Sequence, residues 1–260
     1  LRWAVGQKLL PACPRFPKVQ RKKKSKGTTP MKGRPITLEE FERMLKKVPE
    51  VVGPAAAAAW RHYLLGLWTS GLRLSESLEL WWDREDRLLP TFPRRGRPML
   101  RIPAELEKGH ADRLLPMAPE FAMFLQETAE SERSGAVFKL PGIRAKTAEL
   151  RSKWVGRVVS KIGKAAGVRV YVDPRDPKRM KYASAHDFRR AFGERWAARI
   201  MPAQLKELMR HESIETTLRY YVGANAEKTA DACWVAFKQA ETSVRQASSG
   251  QLFASIEGPL

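Results

Sequence analysis

The chain reads as a mainly α-helical domain with one small antiparallel three-stranded β-sheet, an α+β arrangement. Three observations lead there. Apolar residues recur at helical spacing through most of the sequence beyond residue 35, with start signals ahead of several runs. A single stretch, between residues 86 and 117, shows instead three short strand-like runs separated by turns containing Gly and Pro. The 260 residues, 43% of them hydrophobic, are enough to bury a sizeable core.

The chain opens inside a short helical run, Leu1-Arg2-Trp3-Ala4-Val5-Gly6-Gln7, which Pro11, Pro14 and Pro17 stop. The basic run Arg21-Lys22-Lys23-Lys24-Ser25-Lys26 then reads as a solvated linker. The folded part begins at Pro35-Ile36-Thr37-Leu38-Glu39-Glu40. Thr37 and Glu40 stand at capping-box spacing, and Phe41, Met44 and Leu45 continue on a helical period. Pro54 opens a second helix through 55–68, and Gly71 turns the chain into a third over 75–81. Strands are expected at 86–90, 98–102 and 113–117. Helices resume at 119–128, 146–166, 186–199, 202–209, 214–221 and 225–239. The last ~20 residues, rich in Ser, Gln and Gly, read as a frayed tail. The expected division is therefore 1–33 for a helix end plus basic linker, 34–240 for the folded domain and 241–260 for a flexible tail.

A formal net charge of +20 narrows the partners. Eleven of the 48 Lys and Arg residues fall in 1–34, where there is no acid, and the remainder still carries +9. A basic arm joined to a basic domain attracts a polyanion, because neutralising phosphates releases counterions. Nucleic acid is favoured over an anionic membrane, since no amphipathic anchoring helix accompanies the run. The longest apolar run is broken by Arg61 and His62, well short of the ~18 residues that span a bilayer. Cys13 and Cys233 are isolated and make neither a disulfide framework nor a metal site. Without a signal peptide, cytoplasmic residence is the expectation.

An ordered set of polar residues carries the chemistry. Arg73 lies in Thr69-Ser70-Gly71-Leu72-Arg73-Leu74-Ser75-Glu76, His186 and Arg189 in His186-Asp187-Phe188-Arg189-Arg190, and His211 in Leu208-Met209-Arg210-His211, with Tyr220 nine residues later. Guanidinium forks match non-bridging phosphate oxygens and stay charged. Imidazoles move protons near neutrality or donate a hydrogen bond. A tyrosine becomes a covalent nucleophile once its anion is stabilised. Together these groups suit holding a phosphodiester and attacking it with a phenolic oxygen.

This order and spacing resemble the tyrosine recombinases, the phage-integrase family, whose signatures are Gly-Leu-Arg-x-Ser-Glu, His-x-x-Arg, and His-(x)8-Tyr ending in Thr-Thr-x-x-Tyr. They appear here as Gly71 to Glu76, His186 to Arg189, and His211 through Thr216-Thr217-Leu218-Arg219-Tyr220. The resemblance runs from about Arg34 to about Asp231 and implies the catalytic-domain fold of that family. It makes Arg73 and Arg189 the phosphate-clamping arginines, His186 an assistant in proton transfer, His211 a hydrogen-bond donor to phosphate and Tyr220 the nucleophile. It also implies a catalytic lysine in a β-turn, matched by Lys108 in Glu107-Lys108-Gly109-His110, which would protonate the leaving 5′ oxygen. The family usually has Leu-Gly-His where this chain has Met209-Arg210-His211.

Local patterns weigh the same residues. Phe188, Phe192 and Trp196 give one helix a buried stripe, leaving His186 and Arg189 at its edge. Arg190 beside them reads as a contact to the DNA backbone or as structural, and the cations Arg21, Lys22, Lys23, Lys24 and Lys26 as further DNA contacts. Tyr221 adjoins Tyr220, so the nucleophile has to be chosen. Ile214, Leu218 and Tyr221 share a helix face, which gives Tyr221 a packing role and leaves Tyr220 exposed. Tyr220 is preferred and Tyr221 stays open.

The resemblance implies cleavage and rejoining of double-stranded DNA through a 3′-phosphotyrosyl intermediate, with no cofactor and no metal, by a homotetramer on two synapsed duplexes. It implies a prokaryotic, phage or mobile-element source, and it casts 1–33 as the remnant of a preceding core-binding domain. Trp234, Val235 and Phe237 mark 225–239 as either a helix docking onto a neighbouring protomer or a core helix of its own domain. Two other readings remain: a type IB topoisomerase-like enzyme, and a DNA-binding relic or truncated integrase without recombination activity.

Overall fold

In the computed structural model, residues 2–12, 33–104, 113–141, 152–218, 220 and 234 are described. The chain divides into two compact units, Leu1–Lys32 and Gly33–Leu260. In the first, α1 (Arg2–Gly6) is a short helix, after which Lys8 takes a left-handed conformation at φ 58.

The second unit starts with α2 (Leu38–Val52). Thr37 accepts the Glu40 N–H while the Glu40 carboxylate accepts the Thr37 N–H, completing the capping box. The same carboxylate takes both arms of the Arg34 fork, which holds it below the ordinary carboxylate range. Pro at the first helical position opens α3 (Pro54–Ser70), where a missing N–H costs nothing. This helix is the centre of the core. Trp60, Tyr63, Leu64 and Leu67 on it are at most 1% exposed, and it packs against α2, α5 (Pro119–Gln126) and α7 (Ala185–Ala197). Phe41 of α2 stacks on Trp68 of α3 at 4.5 Å and meets Phe188 of α7 edge-on at 5.8 Å, locking three helices together. Each such aromatic contributes ~1.5–3 kcal/mol on burial.

The short α4 (Leu74–Leu78) ends earlier than the sequence suggests, because Leu80 and Trp81 are drawn into isolated bridges with Leu88 and Ala136. Its Ser77 is pinned to α3 by a 2.9 Å hydrogen bond to the Tyr63 hydroxyl. The expected sheet is present: β1 (Leu89–Thr91), β2 (Met99–Ile102) and β3 (Arg113–Pro116), antiparallel in sequence order. Leu100 pairs with Leu115 on its buried face. The fold is thus mainly α with a small antiparallel three-stranded sheet.

After α6 (Ser152–Ala165) comes an element missing from the sequence reading, a hairpin of β4 (Arg169–Asp173) and β5 (Asp176–Tyr182). The Pro174 and Pro177 of its turn region and the polar Lys178, Arg179 and Lys181 hide it. A two-stranded ribbon consists of edges, where proline and charge are tolerated. The alternating Val168 and Val170, both buried, were the available signal. α8 (Pro202–Leu208) and α9 (Ile214–Leu218) then follow α7. Among the described residues no helix is long and apolar enough to cross a membrane.

Candidate active site

Gly71 is the first fixed point. It ends α3 in the left-handed conformation at φ 60, and a Cβ there would lie 2.3 Å from the Phe192 ring. Only glycine meets both demands. The turn places Arg73 immediately before α4, with its side chain 48% exposed. Glu76, one turn on, reaches back to accept the Arg73 backbone N–H at 2.6 Å and Nη1 at 2.7 Å.

Arg189 is not at the edge of α7 as expected from its neighbours; it is 4% exposed. Its Nη1 donates to the Gly71 carbonyl at 2.5 Å and its Nη2 to the Met209 carbonyl, so one buried fork ties the α3 terminus to the α8 terminus. Burial, reinforced by the Arg73 guanidinium, pushes Arg189 down to about 10, which leaves it charged at neutral pH. His186, one turn earlier, is exposed at the N-terminal end of the same helix. Arg73, His186 and Arg189 line one cleft of about 370 Å³ together with Leu72, Leu74 and Ser184. Partial burial and the nearby Arg190 hold His186 below its ordinary value.

The sequence left Arg190 as a contact to the DNA backbone or as structural, and the fold turns it inward. It is 8% exposed, and its Nη1 donates to Asp187 Oδ1 at 2.5 Å. Asp187 is fully buried and its other oxygen accepts from Ser184 N at 2.9 Å and Ser184 Oγ at 2.7 Å, capping α7. Leaving that carboxylate unpaired in the interior would be costly, so Arg190 is held there as its counterion. The His-x-x-Arg helix is therefore anchored at its start by Asp187 and Arg190.

His211 follows α8 through a turn in which Arg210 adopts φ 51. That region costs a residue with a Cβ ~1–2 kcal/mol. His211 Nδ1 lies 2.9 Å from Thr217 Oγ1, and the Thr217 side chain is wholly buried. This overturns the predicted facing of α9: Ile214 and Leu218 are 39% and 40% exposed, and the threonine takes the inner position because its hydroxyl pairs with the imidazole. Burial, then the positive field of Arg189 and Arg73, lowers His211 to about 4, so the ring is neutral at pH 7.

Tyr220 is half-buried rather than exposed. Its ring lies nearly parallel to that of His211, with centroids 5.9 Å apart, and packs against the core beside Gly193. Burial raises its hydroxyl above the usual phenol value, while Arg189 and Arg190 pull the other way. His211 also lines a second, larger cleft of about 1030 Å³ with Arg73, Glu76, Arg113, Lys206 and Arg210. Arg73 thus belongs to both clefts, and five of the residues singled out in the sequence converge. Lys108, Tyr221, the run Arg21, Lys22, Lys23, Lys24 and Lys26, and 225–239 apart from Trp234 lie outside the described residues. Three contributors went unnoticed in the sequence: Thr217, Gly193 and the Arg210 side chain. Only the first had a local signal, its place in Thr216-Thr217. Among the described residues no three His, Cys, Asp or Glu side chains gather to hold a metal ion.

Comparison with known proteins follows the same lines. The phage integrase family matches residues 34–228. Among solved structures, the chain is similar to the Tn1549 transposon integrase in complex with transposon right end DNA, at TM-score 0.50 and 20% identity, over 90% of this chain and 76% of that one. It is similar to the XerH site-specific recombinase bound to difH substrate at TM-score 0.48 and 20% identity, over 78% of this chain and 54% of that one. For a lambda integrase dimer bound to a COC′ core site, the values are 0.48 and 15%, over 74% and 60%. The chain spans about half the length of the XerH recombinase. No curated protein matches it by sequence. With the family match extending over most of its length, from the start of the capped helix to beyond Tyr220, this chain belongs to the phage integrase family.

Proposed function

We propose that the chain is a site-specific tyrosine recombinase that cleaves and rejoins double-stranded DNA through a 3′-phosphotyrosyl intermediate. The observation that supports this reading is that Arg73, His186, Arg189 and His211 line two clefts that share Arg73, with the Tyr220 ring stacked on His211. Arg73 and Arg189 bind the non-bridging oxygens of the scissile phosphate and stabilise the charge that grows there in the transition state. The Tyr220 oxygen attacks phosphorus and its proton passes to His186, which is neutral at pH 7. The bond to the 5′ oxygen breaks, and Lys108 protonates that leaving group. His211, also neutral, donates a hydrogen bond to phosphate. Rejoining reverses these steps with a new 5′ hydroxyl. The phosphodiester energy is kept in the tyrosyl ester, so neither nucleotide nor metal is needed. The recombining form is a homotetramer, and the basic arm around Arg21 to Lys26 follows the DNA backbone. The expected division into 1–33, 34–240 and 241–260 belongs to the same proposal.

A suicide duplex with a nick beside the cleavage site tests the proposal, because the freed 5′ fragment diffuses away and traps the adduct. The wild-type chain forms a covalent protein–DNA species, Tyr220→Phe forms none while binding DNA as before, and Tyr221→Phe still forms it. Adducts from Tyr220→Phe would move the nucleophile to Tyr221. A gel shift with no covalent species from any integrase-type substrate would leave a DNA-binding protein.

A further inference from the structure

Arg210 occupies a left-handed conformation that is strained for any residue with a Cβ. Its surroundings explain what holds it there. Two successive carbonyls of this turn accept from the two arginines of the site, Met209 from Arg189 and Arg210 from Arg73 Nη2 at 3.0 Å. The Arg210 guanidinium, 10% exposed, forms an ion pair with Glu76 Oε2. Glu76 is the same carboxylate that accepts Arg73 Nη1 and the Arg73 backbone N–H.

The Arg73 fork is therefore engaged by protein on both arms, by Glu76 and by the Arg210 carbonyl. To bind a phosphate it has to turn away from a carboxylate that is only 23% exposed. A carboxylate abandoned in such a place is destabilised unless a second cation stays with it. Arg210 is already paired with the other oxygen of that group.

We propose that Arg210 is a positioning residue for Arg73: it keeps Glu76 paired while the Arg73 guanidinium exchanges Glu76 for a DNA phosphate. The proposal rests on the reading of the site given under Proposed function. Glu76 has two arginine partners before the exchange and one after it, so the cleft never holds an uncompensated acid. Without Arg210, Glu76 competes with the phosphate for Arg73.

The test compares Arg210→Gly, Arg210→Lys and Arg210→Gly with Glu76→Gln, using the nicked suicide duplex at saturating concentration together with thermal melting. Glycine relieves the backbone strain, so a structural role alone would leave Arg210→Gly as active as wild type or more stable. The expected result is adduct formation slowed about tenfold, the size of one partly screened charge pair, without a fall in melting temperature. Arg210→Lys recovers most of the rate because an ammonium still pairs with Glu76. Adding Glu76→Gln to Arg210→Gly raises the rate several-fold, because no carboxylate competes for Arg73. Wild-type rates for Arg210→Gly, no recovery with lysine, or no gain in the double variant would each overturn the proposal. If Arg210→Gly fails to fold, Arg210→Gln, alone and with Glu76→Gln, takes its place in the same comparisons with Arg210→Lys. If the wild-type chain forms no adduct, the reading of the site fails. Binding of intact duplex in a Tyr220→Phe background then judges Arg210, with weakening by glycine but not by lysine expected and no difference overturning the proposal.

Discussion

Gly193→Ala is the substitution with the clearest structural consequence. Gly193 lies in the middle of α7, and a Cβ built there would sit 2.7 Å from Tyr220 Cε1, 2.7 Å from Met209 Sδ and 2.9 Å from Met209 Cε. Ordinary van der Waals separation begins near 3.4 Å, so the Tyr220 ring has to retreat by about 0.7 Å. Met209 is fully buried and has little room to yield in its place. Overpacking of this kind costs ~1–3 kcal/mol. Alanine recovers ~1 kcal/mol of helix propensity over glycine, so the net change in stability is about 0–2 kcal/mol. Chemistry is far more sensitive, since misplacing a reacting group by ~1 Å can cost ~100-fold. The expected outcome is a protein with native-like melting and unchanged DNA affinity whose adduct formation is slowed ~10–100-fold. Thermal melting, fluorescence anisotropy with labelled duplex and single-turnover trapping on the suicide substrate measure the three quantities. Adduct formation at the wild-type rate would refute this reasoning, because it would mean that the position of the Tyr220 ring against α7 is irrelevant to the reaction.

Three further outcomes follow from the same geometry. Arg73→Ala and Arg189→Ala each slow adduct formation by ~100-fold or more while EDTA has little effect, and strong EDTA sensitivity would indicate a metal nuclease. The two differ in stability: half-exposed Arg73 costs under ~1 kcal/mol in a denaturant melt, whereas buried Arg189, tied to two carbonyls, costs ~3 kcal/mol or more. Both histidines are held below 6.5 in the fold, so the unfolded chain takes up protons first as pH falls. Stability is then unaffected above pH 7 and declines from pH 6.5 toward 4, and the second-order rate of adduct formation stays level from pH 8 to about 6.5 before dropping. A drop with its midpoint at or above pH 7 would show that His186 is charged in the free protein. Deleting residues 1–27 makes the slope of log affinity against log salt shallower by roughly one unit for every phosphate the arm had neutralised, and an unchanged slope would leave binding to the +11 of the remaining chain.

The sequence by itself determined the helices and the three-stranded sheet wherever the signal was local. Thr37 with Glu40, Pro54 at a helix start, Gly71 at a helix end and the three short runs between Gly- and Pro-containing turns over 86–117 each act within a few residues, so each is legible without the rest of the chain. The ordered run from Arg73 to Tyr220 was legible for the same reason: each piece is a short pattern on one element. What local patterns misjudged was facing. The Ile214 and Leu218 stripe pointed outward because Thr217 has a partner, His211, on a neighbouring turn. Arg190 was open between a DNA contact and a structural role, and its ion pair with buried Asp187 is visible only in the fold.

Only the tertiary structure decided how the arginines are held. Arg189 spans the ends of α3 and α8, and Arg210 reaches Glu76 from the far side of the sequence. It likewise decided that Gly193 makes room for the Tyr220 ring. The physical reason is the range over which each choice is made. Caps, turns and periodicity are settled by backbone groups a few bonds apart, whereas the pairing of a charge with a carbonyl or carboxylate depends on which groups the packed helices bring into low dielectric together.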